Sequence, residues 1–300
     1  MRFLSILEIK LCGTLRLGSQ LKIWVAKYGS QSTTERQAEL MARNLPKRTS
    51  LVGVKEIVII ASGKGGVGKS TTSVNLAATL AKMASEIGKR VGLFDGDIFG
   101  PSIPLMMNLN DTPLLDKENR MIPLQNYGVK CLSMGFLIDP NKPVIWRGPL
   151  LLKCTVWGQL DVLIVDTPPG TGDIHLSIAQ NVPISGVLLV STPQRAALNV
   201  TKRGAEMYET LKIPLIGLIE NMSHVVCTNC NEKLKIYPNH IEQLAKDLNT
   251  SILGSLPIDN HISESADSGV PIVITAPDSE HSKVYQSIAE QMLNFLDNKK

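Results

Sequence analysis

The sequence contains few aromatic and charged residues and no long apolar run. Aromatic residues make up 4% of the 300 residues and charged residues 19%, whereas 43% are hydrophobic. No apolar run approaches the roughly 20 residues that a membrane-spanning helix needs, so we expect no integral membrane segment. The short apolar runs are typical of a buried core, and the chain is long enough for one large α/β domain.

Cysteine is scarce, and most of the chain carries no excess of positive charge. The five cysteines are an odd number without disulfide-like spacing, which fits a reducing compartment such as the cytosol or the mitochondrial matrix. The whole net charge of +4 lies in the first 34 residues. The charged residues there are Arg2, Lys10, Arg16, Lys22 and Lys27, with Glu8 as the one acid. Because the remainder is formally neutral, we predict no nucleic-acid partner.

Residues 1–34 alternate apolar residues with widely spaced basic ones and end in a stretch containing Ser and Thr. This pattern is typical of a mitochondrial transit peptide, and it lacks the apolar core and small-residue cleavage site of a secretory signal. The alternative is an ordinary first helix or a frayed terminus. We therefore predict a transit peptide at 1–34, a polar lead-in at 35–50 and one domain at 51–300, located in the mitochondrial matrix or, alternatively, the cytosol.

The body of the chain alternates short β-branched runs with helical segments, which indicates a parallel sheet covered by helices on both faces. The predicted strands are 56–61, 90–94, 129–134, 161–165, 186–190, 214–219 and 252–256. The predicted helices are 69–84, 196–211, 240–248 and 282–296. The fold class is therefore α/β, with a mostly parallel sheet flanked by helices, and a ligand is expected outside the carboxyl ends of the strands.

Directly after the first strand, residues 63–70 match the complete phosphate-loop pattern GxxxxGK[ST]. Such a loop aims successive N–H groups at an anion, and the following helix adds its positive end. Lys69 is expected to reach the β and γ phosphates, and the Ser70 hydroxyl to bind Mg²⁺. We predict ATP binding and slow hydrolysis here. The predicted nucleotide contacts are Gly63, Lys64, Gly65, Gly66, Val67, Gly68, Lys69, Ser70 and Thr71.

Two other strands end in carboxylates that a metal site requires. Asp166 follows one of them and is expected to serve Mg²⁺. The glycine-containing turn at 167–173 is a candidate switch that senses the γ phosphate. Asp95 and Asp97 follow another strand, where either is a candidate to hold metal-bound water or to orient the attacking water. The alternative is that these acids are solvated loop residues or helix caps.

With these blocks in place, the sequence resembles the MinD and Mrp superfamily of P-loop NTPases. Lys64 within the loop looks like the early lysine of their deviant Walker A motif, which reaches across a dimer to the partner's nucleotide. Further blocks look like the Mrp/NUBPL branch of iron–sulfur carrier ATPases, in order over 54–296, and with the basic leader they are most similar to its mitochondrial members. The blocks are 95–102 (DGDIFGPS), 146–149 (WRGP), 166–173 (DTPPGTGD), 220–223 (ENMS) and 227–230 (CTNC).

The resemblance implies roles for particular residues. Lys64, Lys69 and Asp97 would act in catalysis, with Asp97 orienting the water. Ser70, Asp95 and Asp166 would serve Mg²⁺. Asn221 would contact the adenine.

The sequence departs from the family pattern at two places. Only the eleven residues 150–160 separate Pro149 from Asp161, where the family has about three helical turns more. This shortening puts stability or dimer geometry in question. Thr167 stands where the family usually has an apolar residue.

Cys227 and Cys230 form a CxxC pair, and thiolates at this spacing chelate zinc or an iron–sulfur cluster. Two ligands do not complete a site, so the economical solution is a two-fold dimer in which each subunit donates one pair. From the residues alone, zinc with a contribution from His240, a structural dithiol and a redox-active dithiol remain open. The family blocks favour a 4Fe-4S cluster that bridges a homodimer.

The predicted function is that of an ATP-dependent carrier, which holds this cluster between two subunits and transfers it to acceptor proteins. The resemblance implies that the acceptors are subunits of respiratory complex I. The alternatives are a MinD-like or ParA-like spatial regulator, a reductase similar to the nitrogenase iron protein, and a non-catalytic zinc scaffold. A membrane-bound regulator would end in a basic amphipathic helix, whereas basic residues are few here until Lys299 and Lys300.

Overall fold

The computed structural model describes residues 48–299, except for 88, 98–99, 138–147, 228, 231 and 239. The predicted transit peptide and residues 35–47 of the predicted lead-in lie outside the described residues, as do Trp146 and Arg147 of the WRGP block. The proposed domain boundaries therefore stay predictions. The described residues belong to one compact unit, Lys47–Lys300.

An eight-stranded sheet forms the centre of this unit, in the order β10-β7-β6-β1-β5-β2-β4-β3. Its strands are β1 (Val54–Ala61), β2 (Val91–Asp95), β3 (Leu124–Asn126), β4 (Val129–Ser133), β5 (Leu160–Asp166), β6 (Gly186–Ser191), β7 (Leu215–Glu220) and β10 (Ile252–Ser255). All neighbouring strands pair in parallel except β3 and β4, which are antiparallel. A separate antiparallel hairpin consists of β8 (His224–Val226) and β9 (Lys233–Lys235).

Helices cover both faces of the sheet. They are α1 (Lys69–Ile87), α2 (Ile103–Met106), α3 (Gly148–Lys153), α4 (Asp173–Asn181), α5 (Arg195–Thr210), α6 (Ile241–Asp247), α7 (Asn260–Ser268), α8 (Ile272–Thr275) and α9 (Glu280–Asn298). Because side chains alternate along a strand, Val58 and Ile60 of β1 pack with α1 and α9, whereas Ile57 and Ile59 pack with α4 and α5. The predicted fold class is confirmed.

The predicted strands and helices are all present, with small shifts at their ends. Sequence reasoning missed β3 and the β8–β9 hairpin, together with the helices α2, α3, α4, α7 and α8. The missed strands have three residues each, too few for a period to be recognised. The last helix, α9, buries Tyr285, Ile288 and Met292 in the core, so its apolar face is occupied by packing on the sheet.

The shortened segment before β5 contains the six-residue helix α3. The Thr155 hydroxyl donates to the Leu151 carbonyl at 2.6 Å, and the Trp157 indole N–H donates to the Leu152 carbonyl at 3.1 Å. These bonds satisfy carbonyls at the end of the helix, and Trp157 packs edge-on against Phe94 in the core. The consequence of the shortening for dimer geometry stays a prediction. No helix within the described ranges has the length and apolarity to cross a membrane.

Candidate functional site

The phosphate loop lies between the end of β1 and the start of α1. Gly66 and Gly68 have φ angles of 78° and 84°, in the left-handed region that favours glycine. A Cβ atom on Gly63 would lie 2.5 Å from the backbone nitrogen of Thr201, and one on Gly68 would lie 2.0 Å from Asn221 Nδ2. The glycines therefore permit both the turn of the loop and its close packing between α5 and Asn221.

A buried ion pair joins the loop to the end of β5. Lys69 Nζ lies 2.7 Å from Asp166 Oδ2, and the two side chains are 6% and 0% exposed. The hydroxyl groups of Ser70 and Ser73 each donate to the Asp166 carboxylate at 2.6 Å. The side chains of Lys69, Ser70 and Asp166 therefore contact one another, as expected from the phosphate-loop motif and the carboxylate at the end of a neighbouring strand. Their hydroxyl and carboxylate oxygens are ligands of the kind that Mg²⁺ prefers.

Asp95 lies beside this pair at the end of β2, where the parallel register places it opposite Asp166. It is 1% exposed, and its carboxylate accepts hydrogen bonds from the Ser133 hydroxyl at 2.9 Å and the Asp97 N–H at 3.1 Å. Burial, reinforced by the nearby negative charge of Asp166, raises the pKa of Asp95 to about 7. The carboxyl group of Asp95 is thus poised between its neutral and charged forms near physiological pH.

Replacing Asp95 by Asn is expected to stabilise the nucleotide-free protein at pH 8 and to change its stability little near pH 4. Because the pKa of Asp95 rises from 3.8 to about 7 on folding, the folded state retains a proton that the unfolded chain releases. The contribution of Asp95 to the free energy of unfolding should therefore fall between about pH 4 and pH 7, by an amount on the order of 4 kcal/mol. Asn does not ionise and should lack this fall. Urea denaturation across this pH range measures the difference, and parallel curves for the two proteins would contradict the assignment.

A cleft of about 390 Å³ opens over the loop. Its lining residues are Ser62, Lys64, Gly65, Gly66, Gly68, Lys69, Ser70, Thr71, Asp97, Gly100, Ser102, Met106 and Pro169. Lys64 is exposed there, and the Asp97 carboxylate accepts the Gly100 N–H at 3.2 Å. Asp95 and Asp166 are not among the lining residues, so they contact the cleft only through their neighbours. The fold thus brings Lys64, Lys69, Ser70 and Asp97 to one cleft, although their individual roles stay predictions.

Asn221 lies behind the loop, immediately after β7. Its side-chain N–H donates to the Val67 carbonyl at 2.9 Å, and its side-chain oxygen accepts the Met222 N–H at 3.0 Å. It is 7% exposed. In this structure its amide supports the phosphate loop from behind. The adenine contact that the resemblance implies remains untested.

The candidate switch after Asp166 is held by residues that sequence reasoning missed. His175 Nε2 lies 2.9 Å from the Pro168 carbonyl, and His175 Nδ1 lies 2.6 Å from the Tyr208 hydroxyl. A carbonyl only accepts, so His175 Nε2 carries the proton and Nδ1 accepts from Tyr208. Burial lowers the pKa of His175, which favours this neutral form. Asp173 lies in the first turn of α4, where acidic residues are favoured, so it was the sequence feature that could have predicted this helix.

Thr167, the polar departure from the family pattern, is fully buried in the same region. Its hydroxyl donates to the Ile60 carbonyl at 3.0 Å, and its N–H lies 3.3 Å from the same oxygen. A buried hydroxyl with a partner costs far less than an unsatisfied one. The structure therefore accommodates Thr167 at the end of β5 without an orphaned polar group.

The CxxC pair lies on the loop between β8 and β9. Cys227 is half-buried and Cys230 is exposed, and the Cys227 N–H donates to the Glu232 carbonyl at 3.0 Å. The N–H groups of Cys230 and Asn229, followed by the Cys230 thiol, lower the pKa of Cys227. The two sulfurs therefore lie beside each other, as a chelating pair requires.

No third ligand joins this pair within the described residues, since no group of three or more His, Cys, Asp or Glu side chains gathers there as a metal site. His240 precedes α6 and does not complete such a group. Cys131 is buried in β4, where burial raises the pKa of its thiol, and Cys154 follows α3. Within the described part of one chain, two thiolates thus lie together, which fits half of a shared four-sulfur site.

The hairpin that carries the cysteines is fastened to the start of α9. Lys233 Nζ lies 2.5 Å from Glu280 Oε1, and His224 Nε2 lies 3.7 Å from the same oxygen. The Lys233 ammonium is the main cause that lowers the pKa of Glu280. Both strands of the hairpin therefore face one carboxylate.

The parallel sheet, the phosphate loop and the buried Lys69–Asp166 pair define a P-loop NTPase. The family description "ParA: NUBPL iron-transfer P-loop NTPase" matches residues 53–293, and the chain belongs to this family. The family expected from the sequence is confirmed.

Curated relatives and a solved structure agree with this assignment. The "Iron-sulfur cluster transfer protein NUBPL" of Mus musculus is 45% identical over 95% of this chain and 88% of its own length. The "Iron-sulfur protein required for NADH dehydrogenase, mitochondrial" of Arabidopsis thaliana is 43% identical over 90% of this chain and 85% of its own length. A nucleotide-binding protein from Archaeoglobus fulgidus in complex with ADP is 33% identical, with a TM-score of 0.62 over 72% of this chain and 87% of its own.

Proposed function

We propose that this chain is an ATP-dependent carrier that binds an iron–sulfur cluster as cargo and transfers it to acceptor proteins. The observation that carries the proposal is the combination of a phosphate loop with an accessible pair of cysteines on one domain. The names of the mouse and Arabidopsis relatives, which refer to cluster transfer and to an iron–sulfur protein required for NADH dehydrogenase, support it.

The cargo is a 4Fe-4S cluster held by Cys227 and Cys230 of two subunits. Four thiolates complete the coordination of such a cluster, and each chain offers one adjacent pair on an exposed loop. A two-fold axis through the cluster supplies both pairs with identical geometry. The protein therefore works as a homodimer, in which Lys64 of each subunit, exposed at the rim of the cleft, reaches the partner's nucleotide.

ATP binding exchanges the partners of Lys69. In the nucleotide-free state its ammonium is neutralised by Asp166, and on binding it turns to the β and γ phosphates. Ser70 and Asp166, with Asp95 behind them, would hold Mg²⁺, which would supply positive charge beside the phosphates. Asp97, in the cleft, orients the attacking water. Nucleotide occupancy then controls how tightly the dimer closes around the cluster.

The proposed site of action is the mitochondrion, and within it the matrix. The Arabidopsis relative is named as a mitochondrial protein, and residues 1–34 have the pattern of a transit peptide. The proposed acceptors are iron–sulfur subunits of respiratory complex I, because the name of the Arabidopsis relative says that it is required for NADH dehydrogenase.

The test is cluster transfer to an apo-protein that needs a 4Fe-4S cluster for activity. The cluster-loaded chain should restore the acceptor's activity faster than equal amounts of free iron and sulfide, and should do so in the presence of an iron chelator. A chelator removes free iron but not iron passed directly between proteins. Restoration at or below the rate of the free-iron control would contradict the carrier function.

A further inference from the structure

We propose that residues 221–227 couple the phosphate loop to the cysteine pair, with Asn221 as the positioning residue at the start of this segment. The proposal rests on the proposed function for the role of the cysteines, and it adds the route by which nucleotide binding reaches them. The route is short, because Cys227 follows Asn221 by six residues. Six residues span at most about 20 Å even when fully extended.

The first end of the route is the contact between Asn221 and the phosphate loop. Asn221 donates to the Val67 carbonyl at 2.9 Å, inside the loop itself. The packing is tight, since a Cβ on Gly68 would lie 2.0 Å from Asn221 Nδ2. Asn221 is also tied to the sheet, because its N–H donates to the Ser191 carbonyl at 2.8 Å. A shift of the loop backbone on phosphate binding therefore acts directly on a side chain that is otherwise fixed.

The middle of the route, Ser223 and His224, is held by several hydrogen bonds. The Ser223 N–H and hydroxyl both donate to the Leu256 carbonyl at 2.9 Å, and the Ser223 hydroxyl lies 2.7 Å from His224 Nδ1. The Ile258 N–H donates to the His224 carbonyl at 2.8 Å. Met222 has a φ of 57°, so this turn depends on the Asn221 side chain that accepts its N–H. These hydrogen bonds hold residues 222–224 in place, so a displacement at Asn221 is passed on to His224.

The far end of the route is the hairpin that carries the cysteines. Lys233 of β9 lies 2.5 Å from Glu280 at the start of α9, and His224 of β8, which follows the Asn221 turn, lies 3.7 Å from the same carboxylate. Both cysteines lie between these two strands. A displacement of residues 221–224 therefore acts on the hairpin whose loop holds the sulfurs.

The test compares two asparagines with the same local geometry. Asn126 also donates to a distant carbonyl, that of Met107 at 2.8 Å, and accepts the N–H of the next residue at 2.9 Å. That next residue, Tyr127, has a φ of 48°, close to that of Met222. Asn221→Ala and Asn126→Ala therefore lose the same two kinds of bond, but only the first loses a bond to the phosphate loop.

Hydrogen exchange of the hairpin, at residues 224–235 of the full chain without iron, is measured with and without saturating Mg-ATP. In the wild type and in Asn126→Ala, Mg-ATP is expected to slow exchange by about threefold or more. In Asn221→Ala, measured at an ATP concentration raised until the variant is saturated, the slowing is expected to be lost. An unchanged response in Asn221→Ala, or no response in the wild type, would overturn the proposal.

If Asn221→Ala no longer binds ATP, a second variant tests the same proposal. Ser223→Ala leaves the loop contact intact and removes the hydroxyl bonds in the middle of the route. It should bind ATP as the wild type does and show a reduced hairpin response, and a full response would overturn the proposal. Because exchange is measured without iron, a failure of cluster transfer leaves this result interpretable by itself.

Discussion

Replacement of Cys230 by Ala is expected to abolish binding of the iron–sulfur cluster. Each chain contributes two thiolates, so in a dimer the variant offers two sulfurs in place of four, and a 4Fe-4S cluster is no longer fully ligated. After anaerobic reconstitution with iron and sulfide, the wild type should hold about four irons per dimer. The variant should hold close to none. Iron, labile sulfide and molecular mass in solution are measured together.

Cys154→Ala is the matched control for this experiment. Cys154 is a free, partly buried thiol that lies after α3, away from the hairpin in sequence. It should retain the wild-type iron content, which separates loss of a ligand from loss of any thiol. If Cys230→Ala kept a full cluster, the shared site would be refuted. A wild-type monomer without iron would refute the bridged cluster for this chain and would direct attention to the shortened segment before β5.

Replacement of Lys69 by Ala is expected to weaken ATP binding by about 100-fold or more, since the ammonium proposed to contact the phosphates is removed. The variant also leaves the Asp166 carboxylate buried without its cation, although Ser70 and Ser73 still donate to it. Breaking a buried pair in this way typically costs about 3–5 kcal/mol of stability. Calorimetry of ATP binding and urea denaturation measure the two effects.

The double replacement of Lys69 by Ala and Asp166 by Asn separates binding from folding. It removes both charges of the buried pair, so much of the lost stability should return. ATP binding should stay weak, because the ammonium is still missing. Lys64→Ala is the control for stability, since Lys64 is exposed and lies outside the buried pair. Wild-type ATP affinity in a folded Lys69→Ala protein would remove the basis for the phosphate-loop assignment.

The central features of the fold could be predicted because their sequence signals are local. Strand β1 is a continuous apolar run, and its predicted range, 56–61, lies within the observed Val54–Ala61. The short elements were missed because three or four residues carry no recognisable period, as in β8 and α8. Helix α4 was missed although Asp173 lies in its first turn.

The candidate site divides in the same way. Lys69 and Ser70 were assigned because the phosphate-loop motif is contiguous, and its geometry follows from glycines and a helix start. The contacts of His175 with Tyr208, and of Asn221 with Val67, join residues 33 and 154 positions apart. No local pattern encodes such pairs.

By itself, the sequence determined the class of the protein, the phosphate loop and the cysteine pair, because each depends on residues adjacent in the chain. Only the tertiary structure decided which partners these residues meet. Parallel strands end at the same edge of the sheet, so β2 and β5 bring Asp95 beside Asp166. Burial there raises the pKa of Asp95 to about 7, and the end of β7 places Asn221 against the loop. Burial and long-range register are properties of the assembled sheet, which no single segment contains.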